Sequence, residues 1–204
     1  DCLLSRGLGD VYKRQEDEGE LFIGCAGGID SVAEFTYKEV DVPAGYFCCK
    51  VQVKGLKGGH SGGDIHLGLG NANKILNRFL SQTFQKYDMY LCEIDGGNLR
   101  NAIPREAFAT VAVMKKHEKA FQNAVKKFEK IYIDEYKGIE DGISFKAVPV
   151  KTPSKAINFF DQANLVDAVF GCPNGVMRMS TSMPGLVQTS SNLARVVSER
   201  GYFK

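Results

Sequence analysis

One histidine of this sequence stands in a setting suited to chemistry rather than to packing. His60 follows a predicted strand and lies between two pairs of glycines, Gly58–Gly59 directly before it and Gly62–Gly63 after one serine. Glycine carries no side chain, so a ligand can approach this backbone closely while the imidazole projects from the loop. Such an imidazole can donate a hydrogen bond to a developing oxyanion or bind a substrate carboxylate. Together with Asp64 and His66 it can also ligate a metal, although this spacing fits no common metal signature.

A second motif delivers polar side chains between two predicted strands. The run Gly96–Pro104 contains two asparagines, an arginine and a proline that restricts the backbone. The side chain of Asn101 can donate to a substrate carbonyl and accept from an amide, so it is a candidate substrate-binding group. The same residue types also suit a tight turn, and that alternative stays open.

A third motif is centred on an arginine. Arg178 lies in the segment Pro173–Ser180, and a polar segment, Thr189–Asn192, follows it along the chain. The guanidinium can pair with a carboxylate through two hydrogen bonds, which makes Arg178 a candidate for binding a substrate carboxylate. A surface or domain-bridging role is the alternative. The sequence contains neither a Gly-x-Ser-x-Gly elbow nor a phosphate loop.

The elements that position these motifs follow from the spacing of apolar residues. Period-two patterns predict strands, and three- and four-residue steps predict helices. The predicted strands are Val32–Val42, Tyr46–Leu56, Met89–Ile94, Phe108–Met114, Ile143–Val150 and Leu186–Val197. The predicted helices are Leu69–Phe84, Glu118–Tyr136 and Lys155–Phe170.

The order of these elements from Tyr46 to Val150 is β-α-β-β-α-β. That order is typical of an α+β, ferredoxin-like fold, an antiparallel sheet with both helices on one face. We also expect a hairpin of the first two strands, an edge position for the strand that contains Pro149, and a cap from Ser154 for the third helix. The last residues, Arg200–Lys204, read as part of another hairpin.

Composition excludes several classes of function. The 26 basic and 24 acidic residues give a net charge of +2, with no basic stripe for nucleic acid. No apolar run approaches the ~20 residues of a membrane helix. The six cysteines include no Cys-x-x-Cys pair, so we expect free thiols and a cytoplasmic protein.

Five segments of the chain, in this order, resemble the aminoacyl-histidine dipeptidases, also called cytosol non-specific dipeptidases. They are EDEGELFIGCAGG, VKGLKGGHSGGDI, GGNLRNAIPREAFATV, PNGVMRMS and GLVQTSSNLA. These enzymes belong to the two-zinc metallopeptidases that include glutamate carboxypeptidase and aminoacylase. The resemblance runs from about residue 16 to the last residue.

The resemblance implies a catalytic α/β domain with two zinc ions and a lid domain that covers the substrate. It implies that His60 comes from the lid and stabilises the tetrahedral intermediate, and that Asn101 contacts the substrate. The family's metal ligands fall outside the matched positions. We therefore expect two Zn²⁺ in the parent enzyme, no metal site in this chain, and no activity of the chain alone.

These interpretations divide the chain into four parts. Residues 1–15 are expected to be a non-native leader, 16–31 a remnant of an incomplete α/β catalytic domain, 32–150 the lid, and 151–204 the truncated second part of the lid and return segment. The predicted function is hydrolysis of Xaa-His and other dipeptides by the parent, with a homodimer possible. The alternative is a non-catalytic binding or dimerisation module derived from the lid.

Overall fold

A computed structural model describes Gly19, Leu21 and residues 27–199 and 201–204. The chain divides into two compact units, Asp1–Ser31 and Val32–Lys204. In the first unit the described residues are exposed and lie in no helix or strand. The predicted leader, residues 1–15, and with it Cys2, lies outside the described residues, and so does Cys25. All helices and strands described below belong to the second unit.

The second unit contains three α-helices and a series of strands. The helices are α1 (Ala72–Thr83), α2 (Glu118–Glu135) and α3 (Phe159–Gly171). The strands are β1 (Phe35–Thr36), β2 (Glu39–Asp41), β3 (Tyr46–Lys54), β4 (Gly59–His60), β5 (Met89–Gly96), β6 (Ala102–Ile103), β7 (Ala107–Met114), β8 (Ser144–Pro149), β9 (Lys155–Ile157), β10 (Gly175–Met179), β11 (Val187–Ser191), β12 (Val196–Glu199) and β13 (Tyr202–Phe203). Short 3₁₀ turns lie at Ile65–Leu67 and Lys115–His117.

The main sheet has seven strands in the order β1-β13-β12-β5-β7-β3-β8, and all its neighbours are antiparallel. Its part β5-β7-β3-β8 has the strand order of a ferredoxin-like sheet. Helix α1 packs on β3, β5 and β7, and α2 packs on β7 and β8. The predicted α+β, ferredoxin-like fold is therefore confirmed, and β8 with Pro149 is an edge strand as expected.

Alternation along the strands creates the core between the sheet and the helices. In β3, the side chains of Cys49, Val51 and Val53 are fully buried against the helices. On α1, the ring of Phe79 makes edge-to-face contacts with three phenylalanines, with centroid distances from 5.0 to 5.6 Å: Phe121, Phe128 and Phe145. Aromatic contacts of this kind hold α1 and α2 to one face of the sheet.

The predicted hairpin of Val32–Val42 with Tyr46–Leu56 is wrong. The first segment forms two short strands, and β1 pairs with β13 while β2 pairs with β9. Strand β3 has no free edge for it, because β7 and β8 occupy both sides. Local alternation identifies an extended segment but does not identify its partner.

Two further predictions on the C-terminal half need correction. Helix α3 begins at Phe159, because residues 155–157 pair with β2 as a strand and Asn158 caps the helix instead of Ser154. The strand predicted over 186–197 is two strands, of which β11 pairs with the unpredicted β10 and β12 with β5 and β13. The predicted final hairpin is β12–β13, whose outer edge is paired with β1.

The described cysteines are free thiols. Cys48 and Cys49 point to opposite faces of β3, as adjacent strand residues must. Cys49 lies in the core, and burial raises the pKa of its thiol to about 12. Within the described part of the chain, no helix is long and apolar enough to span a membrane.

Candidate functional site

A small two-stranded ladder brings the first two sequence motifs together. Strands β4 and β6 pair so that His60 lies opposite Ala102 and Gly59 opposite Ile103. Beside this ladder, the backbone N–H of Ser61 donates to the carbonyl of Asn101 at 2.9 Å. His60 and Asn101 are both exposed, so the two candidate residues occupy neighbouring positions on one surface.

The ring of His60 is held by its own loop. The backbone N–H groups of Gly62 and Gly63 donate to its Nδ1 at 3.1 and 3.0 Å. A nitrogen that accepts two N–H groups carries no proton, so the neutral ring has its proton on Nε2. A Cβ on Gly62 would lie 3.2 Å from the Cε1 of His60, so the absence of a side chain at position 62 lets the ring pack against the loop backbone. The loop thus presents an Nε2–H donor on an exposed ring.

Asp64 closes this turn rather than serving a ligand. Its carboxylate accepts from the backbone N–H of His60 at 2.7 Å, and its own N–H donates to the carbonyl of His60 at 2.8 Å. A Cβ on Gly59 would lie 2.8 Å from this carboxylate, so a side chain at position 59 would force Asp64 to shift.

The structure gives no support to the metal-ligand hypothesis for His60, Asp64 and His66. Among the residues that the structure describes, no three His, Cys, Asp or Glu side chains are placed to hold a metal ion. The Nδ1 of His60 and the carboxylate of Asp64 are instead engaged with backbone N–H groups of the loop.

Arg178 is carried by the β10–β11 hairpin, which the sequence did not predict. Arg178 is exposed and lies opposite Thr189 at a register irregularity. Strand β10 packs against the turn Ile65–Leu67 that follows the His60 loop. The hairpin therefore adjoins the loop, and the third motif belongs to the same region as the first two.

Lys74 fixes the segment that leads into this hairpin. Its ammonium donates to three carbonyls at the end of α3, those of Val169, Phe170 and Cys172, at 3.0, 2.8 and 2.9 Å. These are carbonyls that the helix itself leaves unpaired, and a cation at a helix C-terminus is also favoured by the helix dipole. Burial lowers the pKa of Lys74 from its ordinary value.

A network of asparagine amides connects the three motifs, and sequence reasoning missed it. The amide nitrogen of Asn71 donates to Oδ1 of Asn174 at 2.8 Å and to the carbonyl of Leu193 at 3.2 Å. Asn192 in turn donates to the carbonyl of Ala102, next to Asn101, at 2.8 Å. The network joins the start of α1, the segment before β10 and the β4–β6 ladder. The sequence contained no clear local signal, because Asn71 falls inside the predicted helix Leu69–Phe84, whereas in the structure α1 begins at Ala72.

Asn71 is expected to contribute more than an ordinary helix cap. Its Oδ1 accepts from the backbone N–H groups of Asn73 and Lys74 at the start of α1, while its amide nitrogen serves the buried network. We expect Asn71→Ala to lower the free energy of unfolding by about 3 kcal/mol. Loss of the helix cap accounts for ~1 kcal/mol of this, and the buried groups that lose their hydrogen-bond partner account for the rest. Urea denaturation measures the change.

The control for this substitution is Asn158→Ala, which removes the equivalent cap of α3. Asn158 accepts from the N–H groups of Phe160 and Asp161 but is only partly buried. Its replacement should cost about 1 kcal/mol. Equal losses in the two variants would show that the amide network adds nothing to the cap.

A cavity of about 530 Å³ borders the ladder. Its lining includes Lys57, Gly58, Gly59, Ala102, Ile103 and Arg105, but neither His60 nor Asn101. Arg195 at this cavity is hydrogen-bonded to Asp95 and to the carbonyl of Gly97. The two candidate residues therefore lie on an exposed surface and not inside this cavity.

Comparison with known proteins gives concordant matches. The family model of the peptidase dimerisation domain matches residues 51–140. The cytosol non-specific dipeptidase of Escherichia coli (strain K12) is 41% identical over 181 residues, which are 89% of this chain and 37% of that protein. The crystal structure of aminoacylhistidine dipeptidase from Vibrio alginolyticus matches with a TM-score of 0.82 at 40% identity, over 83% of this chain and 35% of that one. The chain thus spans little more than a third of the length of these relatives.

Proposed function

We propose that this chain, in which residues 51–140 match the family model of the peptidase dimerisation domain, is the substrate-covering lid of a dipeptidase. The parent protein would hydrolyse Xaa-His and other dipeptides in the cytosol. The observation that carries the proposal is the state of His60, an exposed imidazole whose Nδ1 is occupied by two backbone N–H groups. That arrangement supplies a hydrogen-bond donor and suits an oxyanion.

The proposed role of His60 follows from this geometry. When water attacks the peptide carbonyl, negative charge develops on the carbonyl oxygen. The Nε2–H of His60 would donate to that oxygen, and the loop holds the ring in position before the reaction begins. A donor that needs no reorientation stabilises the transition state more than the ground state, which raises kcat.

Asn101 and Arg178 would bind the rest of the substrate. Asn101 adjoins His60 through the β4–β6 ladder, so its amide can orient the same dipeptide. Arg178 is exposed on the neighbouring hairpin and can pair with the terminal carboxylate of a dipeptide through two hydrogen bonds. In a dipeptide the peptide bond and the terminal carboxylate are close together, so both residues could contact the same substrate molecule.

The described residues contain no group of metal ligands. Other parts of the parent protein would therefore hold the zinc pair. When bound, such a pair polarises the peptide carbonyl and activates water. The contribution of this chain would be limited to binding, orientation and stabilisation of charge.

The complete parent protein tests this proposal. Purified with zinc, it should release free histidine from Xaa-His dipeptides, and a chelator should abolish the release. Chromatography of the free amino acids measures the reaction. A complete protein that binds zinc and leaves a panel of dipeptides intact would overturn the dipeptidase assignment.

A second function, self-association, is favoured by the match to a dimerisation domain over residues 51–140. Closed two-fold dimers are the commonest homo-oligomers. Light scattering of the 22.4 kDa chain should then give about 45 kDa at micromolar concentration. A monomer at all accessible concentrations would refute self-association through this domain alone.

A further inference from the structure

We propose that Glu140 is a positioning residue for His60. Its Oε2 accepts from the backbone N–H of Lys57 at 2.7 Å, and its Oε1 accepts from the N–H of Gly70 at 2.9 Å. Lys57 and Gly70 stand at the two ends of the loop that contains His60. One carboxylate therefore fastens both ends of the loop, and the inference rests on the function proposed for His60.

Glu140 is suited to this task because it is inaccessible to water. Only 1% of its surface is exposed, so both hydrogen bonds form in a region of low dielectric. Hydrogen bonds from N–H groups to a carboxylate are stronger than those to neutral acceptors. Gly70 directly precedes Asn71, the N-cap residue of α1. The positive end of the helix dipole lies there and also favours an anion.

The backbone around Glu140 is built to let it reach the loop. Glu140 lies on the turn after α2, where its N–H donates to the carbonyl of Tyr136 at 2.8 Å. That turn crosses the end of β3 at a contact of two glycines. A Cβ on Gly142 would lie 2.7 Å from the carbonyl oxygen of Gly55, and a Cβ on Gly55 would lie 2.0 Å from the oxygen of Gly142. Only glycine at both positions permits this close approach.

The path from Glu140 to the imidazole is short. Leu69, next to Gly70, lies against Gly59, where a Cβ would be 3.0 Å from its Cδ1. Gly59 is the residue before His60 and pairs with Ile103 in the ladder. If the ends of the loop separate, Gly59 loses this support, and the turn that aims Gly62 and Gly63 at the ring loses its fixed geometry.

Glu140→Gln in the full chain tests the inference. Glutamine has one acceptor oxygen, and its NH₂ group would face a backbone N–H that needs an acceptor, so at least one end of the loop is released. Nitrogen NMR distinguishes the tautomers of His60, because protonated and unprotonated ring nitrogens resonate at different frequencies. The unmodified chain should show the Nε2–H form, and the variant should shift both nitrogens toward averaged values.

The matched control is Glu129→Gln. Glu129 lies on α2 and also accepts a backbone N–H, that of Phe145 at 3.3 Å, but it has no link to the loop. The control should leave the His60 signals unchanged. A folded Glu140→Gln chain with the ring signals of the unmodified chain would overturn the inference. An equal shift in the control would show that general destabilisation causes the change, and would overturn the inference as well.

A measurement on the unmodified chain covers the case in which Glu140→Gln fails to fold. If Glu140 closes the loop as a unit, the amides of Lys57, Gly62, Gly63 and Gly70 exchange with solvent through one opening event. Their exchange rates, corrected for local sequence, should then agree within about threefold. Free exchange at Gly62 and Gly63 beside protected Lys57 and Gly70 would refute the coupling.

These results are independent of turnover. Full activity of a His60→Ala parent enzyme would refute the oxyanion role of His60 but would leave the NMR and exchange results intact. Conversely, unchanged ring signals in Glu140→Gln would refute the positioning role and leave the dipeptidase proposal standing. The two failures are therefore distinguishable.

Discussion

If the complete parent protein is the dipeptidase proposed above, replacement of His60 by alanine is expected to lower its kcat by about 100-fold or more. In the proposed role the imidazole donates to charge that develops in the transition state, so its loss should affect kcat more than KM. The loop around it should survive, because the hydrogen bonds between the backbone of residue 60 and Asp64 do not depend on the imidazole. Steady-state kinetics on a dipeptide substrate measures both constants.

His66→Ala is the matched control for this substitution. His66 is an exposed histidine of the same loop, six residues further along the chain. Its replacement should change kcat less than about twofold, since the proposed chemistry does not use it. An unchanged kcat in His60→Ala would rule out the oxyanion role, and an equal loss in both variants would indicate disturbance of the loop.

Replacement of Gly97 by alanine is expected to lower the free energy of unfolding by about 3 kcal/mol or more. Gly97 has a φ of +68°, which strains any residue with a side chain. A Cβ there would also lie 1.9 Å from the carbonyl oxygen of Ala194, which is backbone and cannot rotate away. Because Gly97 follows β5 and precedes the Asn101 segment, the variant should disturb the site as well as the sheet.

Gly138→Ala separates the two causes. Gly138 has a φ of +81°, but a Cβ there would meet no atom within 4 Å. This control should lower the free energy of unfolding only by the backbone strain, which is about 1 kcal/mol. The difference between the two variants in urea denaturation measures the close approach to Ala194. Equal losses would show that the segment around Ala194 can move aside, and that the contact contributes little.

Much of the central fold was predictable from the sequence because its signals are local. Apolar residues at three- and four-residue steps identified α1 and α2, and alternation identified β3, β5, β7 and β8. Errors arose where the partner of a strand decides its structure. Residues 155–157 lie before a strong helical pattern but pair with β2, and the short strand β1 exists only because it covers β13.

The candidate site shows the same division. The glycine pairs around His60 predicted an exposed imidazole on bare backbone, and the ring is exposed. The sequence did not specify which ring nitrogen carries the proton, since that depends on where two N–H groups point. Nor did it indicate that Asn192, in a motif assigned no role, supports the segment of Asn101.

The type and order of the central elements, and a histidine displayed on a glycine-rich loop, were thus recognisable in the sequence. Periodicity and glycine content act over a few residues, so they can be recognised without knowing the fold. Assembly of the sheet was needed to place residues 60 and 101 side by side, to link Asn71 with Asn174 and Leu193, and to let Glu140 fasten both ends of one loop. These contacts connect residues far apart in the chain, and no local pattern encodes a pairing that forms only when the sheet assembles.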